Sequence, residues 1–224
     1  MKKILTVLTM VLLGFALTGC AQEEVIIIGE GNWDSNAFHD QVAKIIIEEG
    51  YDVTVDVVPA DTSIMVSGLK SHDVNLTMEL WSDNIVTYPT DIANGDYVEV
   101  SINYNDNRQG LYIPAYLQEQ YPDLVSVSDL MDYADLFPDP EDSSKGLILG
   151  GVAGWSQMKI SEEIFEEYNL GETYNLGITG SGTALAGTMV GSYKKGEPWV
   201  GYYWAPTAVL GRLDMVRLEG SEYD

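Results

Sequence analysis

Apolar runs that alternate with an amphipathic segment dominate the first eighty residues of this chain. Residues 25–28 are entirely apolar (Val-Ile-Ile-Ile), which is typical of a strand buried on both faces. A helix is predicted to follow and to end at Glu49, and further strands are predicted over residues 53–58 and 74–80 with a short helix between them. This order of elements predicts an α/β protein in which helices cover a mostly parallel sheet.

The first predicted helix is amphipathic. Asp34 or Ser35 can cap its start, and Gly50 can end it. Its apolar residues recur at the spacing of one helical face, which we expect to pack against the sheet: Phe38, Val42, Ile45 and Ile46.

The second half of the chain predicts another lobe. Strands are expected over residues 97–100 and 110–114, where the chain crosses to this lobe, and over residues 146–150. The aromatic run 199–204 is expected to lead back to the first lobe. We therefore divide the chain into a signal peptide (1–19), a tether (20–24), lobe 1 (25–108), lobe 2 (109–198) and a crossover with return to lobe 1 (199–224).

The amino terminus has the pattern of an export signal. Lys2 and Lys3 precede an apolar stretch that ends at Leu17-Thr18-Gly19-Cys20. This ending resembles the bacterial lipoprotein signal, in which the cysteine becomes the lipidated first residue of the mature protein. We therefore expect a lipid anchor at Cys20 and an extracytoplasmic location at the cell membrane; a signal peptide with an incidental cysteine is the alternative.

Net charge limits the partners of the chain. The formal net charge is −24, and removal of residues 1–19 would take away two lysines and no acid. A body this acidic argues against binding of nucleic acid and against docking on anionic lipid.

No pattern of catalytic residues stands out. His39 and His72 are the only histidines and both are expected at the surface, while clustered His or Cys ligands and phosphate-binding loops are missing from the sequence. We therefore expect a protein that is not an enzyme and that needs neither a cofactor nor a metal. With 35 acidic residues, a pair of carboxylates suited to glycoside chemistry remains open.

Four of the five tryptophans lie where predicted elements end rather than inside apolar stripes. Trp33 lies in the first strand–helix loop, Trp81 and Trp155 follow predicted strands, and Trp204 ends the aromatic run. Ligands bind beyond the carboxyl ends of strands in open α/β sheets. Converging indole faces can enclose a quaternary ammonium group, so we predict such a site, with Trp199 assigned to packing.

An anionic group on such a ligand would need hydrogen-bond donors. The backbone N–H groups of Ser156 and Gln157 precede a predicted helix, whose start favours anions. Lys159 and Arg108 are possible charged partners.

Several short motifs of the chain occur in combination: residues 79–81, 103–114, 154–156, 202–207 and 213–219. Together they resemble the substrate-binding proteins of glycine betaine and proline betaine ABC importers, over about residues 25–224. The resemblance implies a two-lobed, type II periplasmic-binding-protein fold that closes around a compatible solute. It assigns the cage to Trp81, Trp155 and Trp204, the ligand carboxylate to the N–H groups after Trp155, and a further contact to Trp33.

Two departures from this family pattern affect the expectations. Some members place a histidine a few residues after the first cage tryptophan, but residues 82–84 contain none, which leaves choline open beside betaine. The chain also stops at Asp224, soon after the expected return, so we expect a fragment with an incomplete first lobe.

The resulting hypothesis is a lipoprotein that binds a quaternary ammonium solute and delivers it to an ABC permease for osmoprotection. A choline or carnitine receptor is one alternative. A surface-anchored carbohydrate-active protein, with tryptophans stacked on sugar rings, is another.

Overall fold

The computed structural model describes residues 25–221. The signal peptide, the tether with Cys20, and the chain end at Tyr223 and Asp224 lie outside the described residues. Within residues 25–221, no helix combines the length and the apolar character needed to cross a membrane.

The first part of the chain forms a small parallel sheet with helices beside it. Its elements are β1 (Val25–Glu30), α1 (Asp34–Tyr51), β2 (Thr54–Pro59), α2 (Thr62–Ser71), a 3₁₀ turn (Ser82–Asn84) and α3 (Tyr88–Asn94). Strands β1 and β2 pair in parallel from Val25↔Thr54 to Glu30↔Pro59. The third strand predicted over residues 74–80 is reduced to a parallel bridge between Ile28 and Leu76.

The face that α1 turns to the sheet differs from the prediction. Asn36, Asp40 and Ala43 are buried, whereas the predicted inward stripe is exposed, with Phe38 at 66% and Ile45 at 60%. Polar contacts account for this rotation, because Asp40 Oδ1 accepts the backbone N–H of Met78 at 3.1 Å. The predicted inward stripe was therefore wrong: a buried carboxylate fixes the helix, not its largest apolar residues.

The second part of the chain forms a five-stranded mixed sheet. Its elements are β3 (Arg108–Pro114), α4 (Ala115–Gln120), β4 (Gly146–Val152), α5 (Met158–Glu167), β5 (Tyr174–Thr179), α6 (Gly182–Lys195), β6 (Gly201–Ala205) and β7 (Met215–Arg217), with 3₁₀ helices at Val127–Asp132, Ala134–Leu136 and Leu170–Glu172. The strand order is β5-β4-β6-β3-β7. Strand β4 is parallel to β5 and β6, and β3 is antiparallel to β6 and β7.

Two predicted connections between the lobes look different in the structure. Residues 97–100 form no strand, and Val98 and Val100 are exposed. The segment from residue 199 onward, which we expected to return to the first lobe, contributes β6 and β7 to the five-stranded sheet.

The main core lies between this larger sheet and its helices. Fully buried residues from β3, β4 and α6 meet there, among them Ile113, Ile148, Leu185 and Met189. A smaller cluster of Ile28, Ala43 and Val55 holds α1 on the first sheet. The rigid sheets position the loops at their ends, where the tryptophans lie.

Candidate functional site

One cavity brings together all six residues that the sequence singles out as ligand contacts. Its walls are Trp33, Thr62, Leu80, Trp81 and Asn84 from the first part of the chain, and Trp155, Ser156, Gln157, Tyr202 and Trp204 from the second. The cavity therefore lies between the two sheets rather than within one of them. Its volume is about 30 Å³, far below the ~300–1,000 Å³ of typical small-molecule pockets.

Trp155 is the centre of the aromatic cluster. Its ring centroid lies 5.7 Å from that of Trp33 and 5.2 Å from that of Trp204, with interplanar angles of 84° and 80°. The ring of Tyr202 is 6.4 Å away and inclined by 76°. These edge-to-face contacts pack Trp33, Tyr202 and Trp204 around Trp155 as one aromatic cluster.

A tight turn after β4 sets the position of Trp155. Gly154 has φ +85°, and a Cβ atom there would come 2.8 Å from Cβ of Asp61, the residue that caps α2. The turn is closed by a hydrogen bond from the Trp155 N–H to the Val152 carbonyl, 3.2 Å. Only a residue without a side chain allows the turn to approach the first lobe this closely.

The loop after β1 contacts the second part of the chain directly. Asn32 Oδ1 accepts the indole N–H of Trp155, and the Asn32 carbonyl accepts the backbone N–H of Gly182 at 3.1 Å. Thr183 Oγ1 lies 3.3 Å from Asp34 Oδ1, to which it donates. The described conformation is therefore one in which the two sides of the cavity touch.

Glu79 connects two of the tryptophans. Its Oε1 accepts the indole N–H of Trp33 and that of Trp81, each at 2.9 Å. Glu79 has no predicted role, because it occurs only as the first residue of the motif 79–81. The available sequence signal for a role of Glu79 was its position as an acid within the otherwise mostly apolar segment before Trp81.

The start of α5 supplies the polar side of the cavity. Gln157 is buried, and its Nε2 donates to the Gly150 carbonyl at 2.7 Å. Among the described residues, Gln157 Oε1 and Trp204 Nε1 are buried without a hydrogen-bond partner. Buried polar atoms of this kind are suited to contacts with a bound molecule.

A family profile identifies the type of protein. The profile described as the substrate binding domain of the ABC-type glycine betaine transport system matches residues 24–223. The chain belongs to this family. The resemblance found in the sequence motifs is thereby confirmed, and the protein is a substrate-binding protein of the glycine betaine type of ABC transport system.

Solved structures agree with this family in fold. A glycine betaine and L-proline binding protein (ProX) from Borrelia burgdorferi is 22% identical with a TM-score of 0.72, over 89% of this chain and 72% of that one. Lactococcal OpuAC, closed on glycine betaine, is 18% identical with a TM-score of 0.68, over 87% and 70%.

A choline binding protein in complex with choline is 16% identical with a TM-score of 0.70, over 88% of this chain and 65% of that one. At identities this low, the matches show similarity of fold alone. That similarity confirms the predicted type II, two-lobed α/β class. No curated protein matches the chain in sequence.

The two charged residues predicted as possible ligand partners, Lys159 and Arg108, do not line the cavity. Lys159 is largely exposed and 3.7 Å from Glu163, and Arg108 is exposed at the start of β3. Trp199 is buried in the core with its indole N–H 3.0 Å from Thr188 Oγ1, as its assignment to packing predicts.

The two histidines differ in their surroundings. His72 is exposed, but His39 is only partly exposed, and its Nδ1 lies 3.6 Å from Glu79 Oε2. His39 is therefore at the surface only in part: its side chain is 30% exposed, but its Nδ1 is turned toward Glu79. Over residues 25–221, no group of three or more His, Cys, Asp or Glu side chains is arranged to hold a metal ion.

A larger cavity of about 900 Å³ lies beside the tryptophan site, between the extended segment 74–84 and the loop 95–109. Leu80, Trp81 and Asn84 line both cavities. The other three clustered tryptophans do not line it, so the smaller cavity is the candidate binding site of this betaine-family protein.

Proposed function

We propose that the protein is the receptor for a quaternary ammonium compatible solute of the glycine betaine type. Trp81, Trp155 and Trp204 enclose the ammonium group and Trp33 forms a fourth wall. The observation that supports this proposal is the convergence of four indoles, two from each part of the chain, on one cavity.

Magnitudes agree with this proposal. A desolvated cation–π contact contributes about 2 kcal/mol, so three such contacts supply about 6 kcal/mol. Burial of the ammonium methyl groups adds to this. A micromolar dissociation constant corresponds to a net binding free energy of about 8 kcal/mol after the cost of association, so these contacts supply a large part of the gross energy without any salt bridge.

The ligand's other end faces the start of α5. The backbone N–H groups of Ser156 and Gln157 lie where a helix start favours an anion, and they are the proposed donors to a carboxylate. The unpaired Gln157 Oε1 can accept a hydrogen bond from a hydroxyl group instead. Since residues 82–84 contain no histidine, choline is the second candidate ligand.

Binding requires the two sides of the cavity to separate. A cavity of about 30 Å³ is far smaller than the ~300–1,000 Å³ of pockets that hold small molecules. We propose that the part that carries β1 and β2 and the part that carries the five-stranded sheet, including β6 and β7, act as two lobes that open, admit the solute and close. The closed form is the one delivered to the membrane permease, with no chemical conversion.

The biological setting follows from the same proposal. Lipidation of Cys20 after removal of residues 1–19 would hold the receptor at the outer side of the membrane, beside its permease. Uptake of a compatible solute serves osmoprotection.

Titration calorimetry tests the proposed ligand class. We expect saturable binding of glycine betaine or choline with a dissociation constant in the micromolar range or below. Saturable binding of small sugars, with no response to either amine, would instead favour a carbohydrate-binding protein.

A further inference from the structure

Glu79 is a buried acid, and contacts within the proposed tryptophan cage do not by themselves explain its burial. Its exposed fraction is 4%, and carboxylates are seldom this buried unless several donors satisfy them. It precedes Trp81 by two residues, in the segment that the Ile28–Leu76 bridge attaches to the first sheet. Glu79 thus lies three residues beyond the point where this segment is attached to the first sheet.

The donors around Glu79 come from three separate segments. Oε1 accepts the indole N–H groups of Trp33 and Trp81 at 2.9 Å and the hydroxyl of Ser35 at 3.1 Å. Tyr104 interacts with the same carboxylate: burial, and then this interaction, raise the pKa of its phenol. Glu79 Oε2 accepts no hydrogen bond within the described residues and lies 3.6 Å from His39 Nδ1. One acid thus joins the loop after β1, the segment before Trp81 and the loop before β3.

Only two of the four clustered indoles have this charged acceptor. Trp155 donates to the neutral amide of Asn32, and Trp204 Nε1 has no partner among the described residues. The carboxylate therefore holds Trp33 and Trp81, the two rings from the first part of the chain. It holds neither of the two rings from the second part, Trp155 and Trp204.

We infer that Glu79 is a positioning residue that orients Trp33 and Trp81 for binding of a quaternary ammonium group. An indole whose N–H is held by a carboxylate cannot rotate freely, so its face is aligned before the ligand arrives and less conformational entropy is lost on binding. Donation to an anion also makes the ring more electron-rich, which strengthens its attraction for a cation. This inference rests on the proposed function.

Two substitutions separate alignment from charge. Glu79→Gln keeps an acceptor oxygen but removes the charge, and Glu79→Leu removes both at similar size. For choline, measured by calorimetry, we expect the dissociation constant to rise about tenfold in Glu79→Gln and roughly a hundredfold in Glu79→Leu.

A matched control comes from the surface. Glu163→Gln makes the same change in net charge at an exposed carboxylate that pairs with Lys159. We expect its affinity for choline to stay at the level of the unmodified protein, which excludes an effect of overall charge.

A spectroscopic readout identifies the positioning role directly. In ¹⁵N-edited NMR spectra without ligand, the indole N–H signals of Trp33 and Trp81, assigned with single Phe variants, should move in both Glu79 variants. The signal of Trp199, which donates to Thr188, should stay in place. A merely structural role would not move two indole signals selectively.

The outcomes distinguish the two proposals. If Glu79→Leu folds and binds choline as the unmodified protein does, or if neither indole signal moves, the inference on Glu79 is overturned. If Glu79→Leu does not fold, the Gln variant decides by the same two readouts. If the unmodified protein binds neither choline nor glycine betaine, the proposed function fails, and the indole signals alone decide whether Glu79 holds the two rings.

Discussion

Asn32 and Trp155 are 123 residues apart in sequence, yet the Asn32 side-chain oxygen accepts the Trp155 indole N–H. The first belongs to the loop after β1 and the second to the turn after β4, so this bond joins the two sides of the binding cavity. The proposed opening of the two lobes has to break it. In that proposal the bond stabilises the closed state only.

Replacement of Asn32 by Ala should weaken ligand binding without damage to the cage. A neutral hydrogen bond contributes about 1 kcal/mol, so we expect the affinity for glycine betaine or choline to fall roughly fivefold. Calorimetry measures this, and Asn94→Ala, at an exposed residue at the end of α3, serves as the control. An unchanged affinity in Asn32→Ala would show that the bond does not favour closure.

Identical substitutions at two buried tryptophans should separate binding from packing. Trp155→Leu removes an aromatic face but keeps an apolar side chain, so binding should weaken roughly thirtyfold or more, for about 2 kcal/mol. Trp199→Leu loses a comparable ring from the core, and we expect a lower melting temperature with little change in affinity. Fluorescence titration together with thermal unfolding checks both. Equal losses of affinity would contradict the assignment of Trp199 to packing.

Local sequence signals predicted several residues of the candidate cavity because these residues lie at the ends of strands. The turn Gly154-Trp155 follows the apolar strand β4 and Trp33 follows β1, so the order of elements placed each tryptophan at the end of a strand, although the two strands belong to different sheets. The buried face of α1 was not predictable in this way. Asp40 is held inward by the backbone of Met78, a contact that a periodic pattern of apolar residues does not reveal.

Glu79 was missed for the same physical reason. A single acid in a strand-like segment reads as a solvent-facing residue, and its burial depends on indoles 46 residues away and two residues away. The pairing of β6 between β3 and β4 also depends on contacts distant in sequence. Alternation along the chain predicts a strand but not its neighbours.

Replacement of Cys20 by Ser tests the proposed anchor. We expect the natural chain to lose residues 1–19, to incorporate labelled fatty acid and to fractionate with membranes, because two or more acyl chains give stable attachment. The Ser variant should incorporate no label and should leave the membrane fraction. If the natural chain incorporates no label either, the amino terminus is an ordinary signal peptide.

Stability should depend on pH through Asp40. Burial raises the pKa of its carboxyl to about 7; the Met78 N–H opposes this, and the charges of Glu30 and Glu79 add to it. Between about pH 4 and 7, the native state thus holds a proton that the unfolded chain has lost. The contribution of Asp40 to the unfolding free energy is therefore complete at low pH. It falls by at most about 1.4 kcal/mol per pH unit as the pH rises toward 7.

Asp40→Asn should remove this dependence, because an amide keeps an acceptor for the Met78 N–H and does not ionise. Chemical unfolding at pH 5 and pH 8 measures this. Between these two pH values, the unfolding free energy of Asp40→Asn should rise by roughly 2 kcal/mol relative to that of the unmodified protein. The exposed Asp52, which ends α1 in a left-handed conformation that Asn tolerates, gives the control substitution Asp52→Asn. Parallel stability curves for Asp40→Asn and the unmodified protein would mean that Asp40 is ionised in the native state throughout this range.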